Sequence, residues 1–281
     1  MNPGTAQDKF RRLTERLKAA GRLALAFSGG VDSAFLLKAA ALALPPENIL
    51  AVTARAELFP RREGREAAEL ASALGLVHLV LDFDALSQPL VAANPPDRCY
   101  HCKKALFGDL IAAAAERGFP EVADGGNLDD ADDYRPGARA VRELGVISPL
   151  KDAGLTKAEI RALSQEMNLP TWDKPAFACL ASRFPYGRPI TRAALARVEE
   201  AEDFLLSLGF KNIRVRSHDD LARLEVEAED RPRFFDLAVM DLVDAKLRSL
   251  GFAFAALDLG GYRAGGLNSA VDQATRDKYR Q

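Results

Sequence analysis

Ser28-Gly29-Gly30-Val31-Asp32-Ser33 is the stretch on which the fold of this chain turns. Residues 22–27 before it are a short apolar run that reads as a buried strand. After it, Ala34, Phe35, Leu37, Lys38 and Ala41 are spaced for a helix over residues 32–44, stopped by Pro45-Pro46. A glycine-rich turn between strand and helix suits phosphate: glycines allow close backbone approach, and a helix start adds aligned N–H groups and positive potential. Ser28 and Ser33 supply hydroxyl donors, and Asp32 either caps the helix or positions Mg²⁺ between phosphate groups. A bare Ser-Gly-Gly is better read as a tight turn with a capping residue; it is the full string, after a strand and before a helix, that carries the phosphate reading. No G-x-x-x-x-G-K-[ST] string is present, which argues against γ-phosphoryl chemistry of the P-loop kind.

The alternation continues outward. Helical spacing covers residues 5–20 (Phe10, Leu13, Leu17), 61–74, 103–117 and 156–167. Strands are expected at 49–53, 77–83 and 121–123, with a last sheet segment at 148–150. Such alternation predicts right-handed crossovers and a parallel sheet, whose ligands gather at the carboxyl ends of the strands. The turns after Phe27, Thr53 and Ala123 converge there. Beyond Pro185-Tyr186-Gly187 the pattern changes to a helix at 192–208, paired strands at 212–216 and 222–227, a helix at 232–250, a strand at 254–257 and a Gly-rich tail. The expected fold is therefore α/β. A parallel-sheet domain spans residues 1–187, and a smaller α+β domain spans 188–281.

The 281 residues are 48% hydrophobic and 28% charged, a globular balance, with a formal net charge of −2. The absence of a basic excess argues against nucleic acid as a general partner. The polar N-terminus has no signal-peptide core, and no apolar run reaches membrane-spanning length. Three cysteines, an odd number, do not form a secreted disulfide framework. A cytoplasmic protein without a membrane partner is expected.

The string at 28–33 resembles the signature of the PP-loop ATP pyrophosphatases, with their adenine nucleotide alpha hydrolase-like fold. The resemblance implies cleavage of ATP between its α- and β-phosphates, yielding an adenylated substrate and pyrophosphate. Ser28, Gly29, Gly30, Val31, Asp32 and Ser33 would hold the nucleotide with Mg²⁺. Thr53-Ala54-Arg55, after the second strand, would face adenine through its backbone, bringing in Thr53 and Arg55. Asp124-Gly125-Gly126-Asn127-Leu128-Asp129-Asp130 resembles the G-T-N-x-D-D turn of several members, which adds Gly125 and Asn127; its plain alternative is a solvated acidic loop.

Adenylation only readies an oxygen to leave, and nitrogen or sulfur must replace it. Cys99-Tyr100-His101-Cys102 is a C-x-x-C just ahead of a helix, and Cys179 lies in Pro175-Ala176-Phe177-Ala178-Cys179-Leu180-Ala181-Ser182-Arg183-Phe184-Pro185-Tyr186-Gly187. That stretch, with residues 28–33 and Arg214-Val215-Arg216-Ser217-His218, is similar to the LarE family of ATP-dependent sulfur transferases, from about residue 10 to Gly266. C-L-x-S-R-x-P-Y-G is far more specific than the phosphate string. The resemblance implies thiolation of pyridinium-3,5-dicarboxylate mononucleotide, precursor of the nickel-pincer cofactor of lactate racemase. In one branch of the family the cysteine matching Cys179 gives up its own sulfur and becomes dehydroalanine. In the other it joins a C-x-x-C around a [4Fe–4S] cluster, leaving one iron open for an exogenous hydrosulfide. The extra pair here favours the cluster, with Cys99, Cys102 and Cys179 as ligands and Cys179, Asp32 and Arg183 as catalytic residues. A zinc site, a redox dithiol and inert core cysteines are the alternatives.

The implied substrate carries a phosphate and carboxylates, which arginine matches bidentately. Arg183, Arg214 and Arg216 are candidates, the last two on one face of a strand; the plain alternative is cross-strand pairing with Glu225 and Glu227. Glu225 and Glu227 equally suit a divalent ion near the substrate phosphate, which makes Glu225 a candidate for the substrate site. Sulfide or a sulfur-donor protein is the expected source, and a homo-oligomer of hexameric size the expected assembly. The rivals are a tRNA thiolase, an amide ligase of the NAD-synthetase type and a non-catalytic AMP sensor or cluster carrier.

Overall fold

A capping box starts helix α1 (Ala6–Ala20): Thr5 accepts the Asp8 N–H and Asp8 reaches back to the Thr5 N–H. The computed structural model describes residues 4–131, 135–175, 179–263, 266 and 271–279. The chain continues as β1 (Leu23–Ala26), α2 (Val31–Ala43), β2 (Ile49–Arg55), α3 (Arg61–Ala73), β3 (Val77–Asp82), α4 (Pro89–Ala92) and α5 (Arg98–Ala115). Then come β4 (Glu121–Ala123), α6 (Pro136–Glu143), α7 (Pro149–Asp152), α8 (Lys157–Glu166), α9 (Arg192–Ser207), β5 (Ile213–His218), β6 (Leu221–Val226), α10 (Leu237–Ser249), β7 (Phe254–Leu257) and α11 (Gln273–Lys278).

Two compact units result. The first joins Met1–Asp84, Cys99–Phe177 and Arg276–Gln281; the second joins Ala85–Arg98 and Ala178–Thr275. The first carries a parallel sheet in the order β3-β2-β1-β4, with Leu23 of β1 opposite both Ile49 and Glu121. Parallel neighbours need crossover segments, and helices supply them on both faces. On one face Leu13 and Leu17 of α1 pack with Phe35 and Leu37 of α2 and with Ile160 and Leu163 of α8. On the other, Leu50 and Val52 meet Phe107, Leu110 and Val141. Lys9 on α1 donates to both carboxylate oxygens of Glu159 on α8, at 2.7 and 2.8 Å. In the second unit β5 and β6 are antiparallel, β6 and β7 parallel, and α9 lies against β5.

The fold class is the expected one, α/β with a parallel sheet and a smaller α+β unit. Several boundaries differ. The second strand runs to Arg55, so Thr53 and Arg55 lie on it rather than after it; Arg55 pairs with Asp82 at 2.5 Å and extends the ladder. The Cys99–Cys102 helix begins at Arg98, whose N–H bonds the Pro95 carbonyl at 2.9 Å, so the C-x-x-C is inside the helix. The segment at 148–150 is not a strand. Only Ile147 bridges to Ala123, and Pro149 starts α7, where its missing N–H costs nothing. Residues 232–250 divide into a 3₁₀ turn (Arg231–Phe235) and α10, which Asp236 caps. The Gly-rich tail leads into α11. Among the described residues no helix is long and apolar enough to cross a membrane.

Helix α2 provides a direct test of this core. Leu37 is fully buried whereas Leu42 is 57% exposed. Leu37→Ala is expected to cost about 2–5 kcal/mol in urea unfolding, and Leu42→Ala within about 0.5 kcal/mol.

Candidate active site

The Ser28–Ser33 turn leaves β1 and enters α2. Gly29 sits at φ +73°, and a Cβ there would stand 3.1 Å from the Ala67 Cβ and 3.2 Å from the Glu63 carbonyl oxygen. Glycine is needed for conformation and for space. The Gly29 carbonyl accepts from Lys174 Nζ at 3.0 Å, while the same ammonium bonds Glu66 at 2.6 Å. Ser28 and Ser33 hydroxyls lie 3.2 Å apart. No side chain caps α2 at Gly30, so Asp32 does not play the capping part open to it in sequence. Instead Asp32 Oδ2 pairs with Lys157 Nζ at 2.5 Å, and its Oδ1 is buried without a hydrogen bond. An unsatisfied carboxylate oxygen on a phosphate-type turn fits a shared Mg²⁺. Among the described residues no group of three metal-ligating side chains is assembled, so phosphate oxygens would complete the shell.

The turn after β4 closes on this loop. A Cβ on Gly125 would lie 3.1 Å from the Ser33 nitrogen and 3.3 Å from its Cα. Asp124 accepts from the Ser148 hydroxyl (2.7 Å) and the Gly126 N–H (3.1 Å), and Asn127, 4% exposed, accepts the Asp129 N–H at 3.0 Å. The turn is thus internally hydrogen-bonded rather than a solvated acidic loop. Burial pushes the Asp130 pKa up, Arg135 and the Asn127 N–H oppose this, and the charges of Asp32 and Asp124 add to it. On β2, the Thr53 hydroxyl donates to the Phe27 carbonyl at 2.6 Å and must therefore accept from His78 Nε2 at 2.8 Å, which fixes the imidazole tautomer. Burial lowers the His78 pKa, so the ring is neutral near pH 7. Arg55 is exposed and bound to Asp82, leaving backbone as what the end of β2 offers a ligand.

In the second unit Cys179 precedes a 3₁₀ turn (Leu180–Arg183) and is half-buried. Ala176, Phe177 and Ala178 of its string lie outside the described residues. Arg183 is fully buried: Nε and Nη2 each bond Glu202 at 2.8 Å, and Nη1 bonds the Cys179 carbonyl (3.2 Å) and the Ser182 hydroxyl (2.9 Å). Arg216 donates to the Ser182 carbonyl (2.6 Å) and to Glu225 Oε2 (2.6 Å), whose other oxygen accepts from Arg223 at 2.9 Å. A divalent ion at Glu225 would have to displace one of these guanidiniums. Arg214 bonds Asn212 and the Ile213 carbonyl and lies 4.8 Å from the Tyr262 ring centroid. Its pKa is pushed down first by burial and then by Arg183, yet a guanidinium stays charged. The surface pairing with Glu225 and Glu227 is replaced by a buried diagonal. Arg214 stands opposite Glu225, Arg216 forms the ion pair with it, and Glu227 accepts from Asn212.

Cys99 and Cys102, in the first unit, stand one turn apart on α5, Cys102 buried and Cys99 half-buried. A Cβ on Gly137 of α6 would lie 3.2 Å from the Cys99 carbonyl oxygen, so α6 closes tightly over this turn. None of the three cysteines is in a disulfide. The donor type, three thiols, fits an iron–sulfur cluster; an assembled three-ligand group is not found among the described residues. Beside the turn, Tyr100 and Arg139 bond Glu143 at 2.6 and 2.8 Å and hold its pKa down at about 2. Sequence reasoning did not single out Lys157, Lys174, Glu202, Arg223, Asn94 or Arg98. Lys174, next to the Pro175–Gly187 string, and Arg98, next to Cys99, carried a positional hint.

No family model matches the chain. It is 41% identical to the pyridinium-3,5-bisthiocarboxylic acid mononucleotide synthase of Lactiplantibacillus plantarum, over 96% of this chain and 97% of that protein. It is 40% identical to an uncharacterised protein of Synechocystis, over 94% of this chain and 98% of that protein. A shorter likeness, 28% identical over 56% of this chain and 50% of its partner, links it to the tRNA-specific 2-thiouridylase of Azorhizobium caulinodans.

Two outcomes are expected from this geometry. Gly125→Ala drives a methyl into the backbone of Ser33 and should weaken ATP binding at least tenfold in calorimetry, an added ~1.4 kcal/mol, with the fold kept. Because the Glu143 pKa is depressed on folding, its contribution is full above the ordinary value of 4.5 and is lost as pH falls towards about 2. Glu143→Gln should therefore flatten the fall in stability across that acid range, read by unfolding at a series of pH values.

Proposed function

The chain belongs to the LarE family, that of the pyridinium-3,5-bisthiocarboxylic acid mononucleotide synthase, and from this premise we propose that it is an ATP-dependent sulfur transferase making that type of product. The full-length likeness to the synthase carries this reading. A carboxylate of pyridinium-3,5-dicarboxylate mononucleotide attacks the α-phosphorus of ATP. The Ser28–Ser33 turn and the positive end of α2 hold the departing pyrophosphate, and Gly125 keeps the opposite turn close to it. Asp32 would hold Mg²⁺, which when bound supplies charge neutralisation to phosphate, and Lys157, paired with Asp32 at 2.5 Å, is the cation beside the turn that meets the developing negative charge. The small unit binds the mononucleotide, with Arg214 and Arg216 on its anionic groups and Arg183 holding the Cys179 loop. Sulfur then attacks the acyl carbon and AMP leaves.

Cys99, Cys102 and Cys179 are the residues that would hold a [4Fe–4S] cluster, which when bound supplies an open iron able to carry a hydrosulfide. Sulfide or a donor protein would be the source of sulfur, and the chain works as a homo-oligomer. Incubated with ATP, substrate and sulfide, the anaerobically purified chain should yield AMP and pyrophosphate in step with thiocarboxylate. Release of ADP and phosphate alone would refute the proposal. Cys179→Ala should abolish thiocarboxylate while acyl-adenylate still forms, and the reconstituted wild-type chain should bind iron and acid-labile sulfide. Protein without iron that loses hydrogen sulfide in mass at Cys179 would support sacrificial sulfur instead. The thiouridylase likeness makes tRNA the second candidate substrate, and salt-sensitive tRNA binding would favour it.

A further inference from the structure

Lys174 donates to the Gly29 carbonyl at 3.0 Å and to Glu66 at 2.6 Å, and its side chain is only 11% exposed. Lysine, glutamate and turn all belong to the first unit. An ammonium so far out of water is costly unless its protons are accepted, so the bond to Gly29 is a constraint and not a passing contact. The peptide joining Gly29 to Gly30 is trans, and a planar trans peptide directs its C=O and its N–H in opposite directions. Holding the Gly29 carbonyl on Lys174 therefore makes the Gly30 N–H face away from Lys174. Neighbouring carbonyls are engaged as well. That of Gly30 accepts the Ala34 N–H at 2.9 Å and the Ser33 hydroxyl at 3.2 Å, and that of Phe27 accepts the Thr53 hydroxyl at 2.6 Å. An anion is repelled by carbonyl oxygens and attracted by N–H groups, so tying up the former favours it.

Lys174 is itself set in place from α8. Arg161 donates to the Trp172 carbonyl at 2.6 Å and to the Lys174 carbonyl at 2.8 Å, and the Lys174 N–H bonds the Thr171 carbonyl at 3.1 Å. Lys157, four residues before Arg161 and so on the same face of α8, pairs with Asp32. One helix face thus reaches the turn twice, at Asp32 directly and at Gly29 through Lys174.

We propose that Lys174 is a positioning residue for pyrophosphate: by holding the Gly29 carbonyl it presents the Gly30 N–H to the phosphates, without touching the nucleotide itself. The inference rests on the reading of Ser28–Ser33 as the nucleotide's phosphate turn and adds the side chain that aims it.

Calorimetric titration of the full-length chain with magnesium ATP, with magnesium pyrophosphate and with AMP tests this. Lys174→Met keeps the aliphatic stem and removes the donor. It should weaken ATP and pyrophosphate binding about tenfold, the weight of one hydrogen bond from a charged group, and leave AMP affinity unchanged. Lys174→Arg, which still donates, should recover part of the loss. A purely structural role would instead lower all three affinities together with the melting temperature. That outcome, with Lys174→Arg no better than Lys174→Met, overturns the inference alone. So does pyrophosphate binding as tight in Lys174→Met as in wild type. A wild-type chain that binds neither ATP nor pyrophosphate overturns the phosphate-turn reading and the inference with it.

Discussion

A guanidinium in a protein interior must have its N–H groups accepted, and the second unit is organised by that demand. Arg183 is fully buried, and Glu202 takes two of its donors while also accepting the Val215 N–H at 2.9 Å. One carboxylate thus fixes a turn, a helix and a strand to one another. Such a pair adds little net stability, because desolvation offsets its attraction, but losing one member costs about 3–5 kcal/mol. What it contributes is definition: the carbonyls of Cys179, Ala181 and Ser182 face Arg183, Arg98 and Arg216. The loop is held largely through its backbone carbonyls.

The first unit solves the opposite problem. There it is a backbone carbonyl, that of Gly29, that a part-buried ammonium takes up. Lys174 holds Gly29 from behind, and glycine at 29 and 125 removes the side chains that would keep the two turns apart. Asp32 and Lys157 neutralise one another at the turn, 125 residues apart in sequence, and leave one carboxylate oxygen unsatisfied.

The sequence was legible where structure is local. Strand–turn–helix at 22–44 and the paired strands of the small unit follow from periodicity, glycine and proline alone. It was silent where long-range packing decides. Ile147 joins the sheet through a single bridge, too short to leave a period, and Pro149 reads equally as a strand edge or a helix start. Asn94 precedes Pro95-Pro96 and looks like a loop residue; its burial follows from carbonyls some 90 residues later. Arg214 and Arg216 were legible as a pair on one face, but not as buried groups, since period-2 spacing does not reveal which face is covered.

The core on the α1 side has a consequence for how the chain is made. Leu13, Leu17, Phe35 and Leu37 complete their packing only with Leu150, Leu155, Ile160 and Leu163, and Lys9 finds Glu159 across 150 residues. At about 5–20 residues per second of synthesis, that gap lasts on the order of ten seconds. Throughout it, the apolar stripe of the first helix has only α2 to lean on. The nascent chain therefore carries an uncovered hydrophobic face on the ribosome for far longer than the microseconds in which its helices form, and a chaperone that binds apolar segments has its window there.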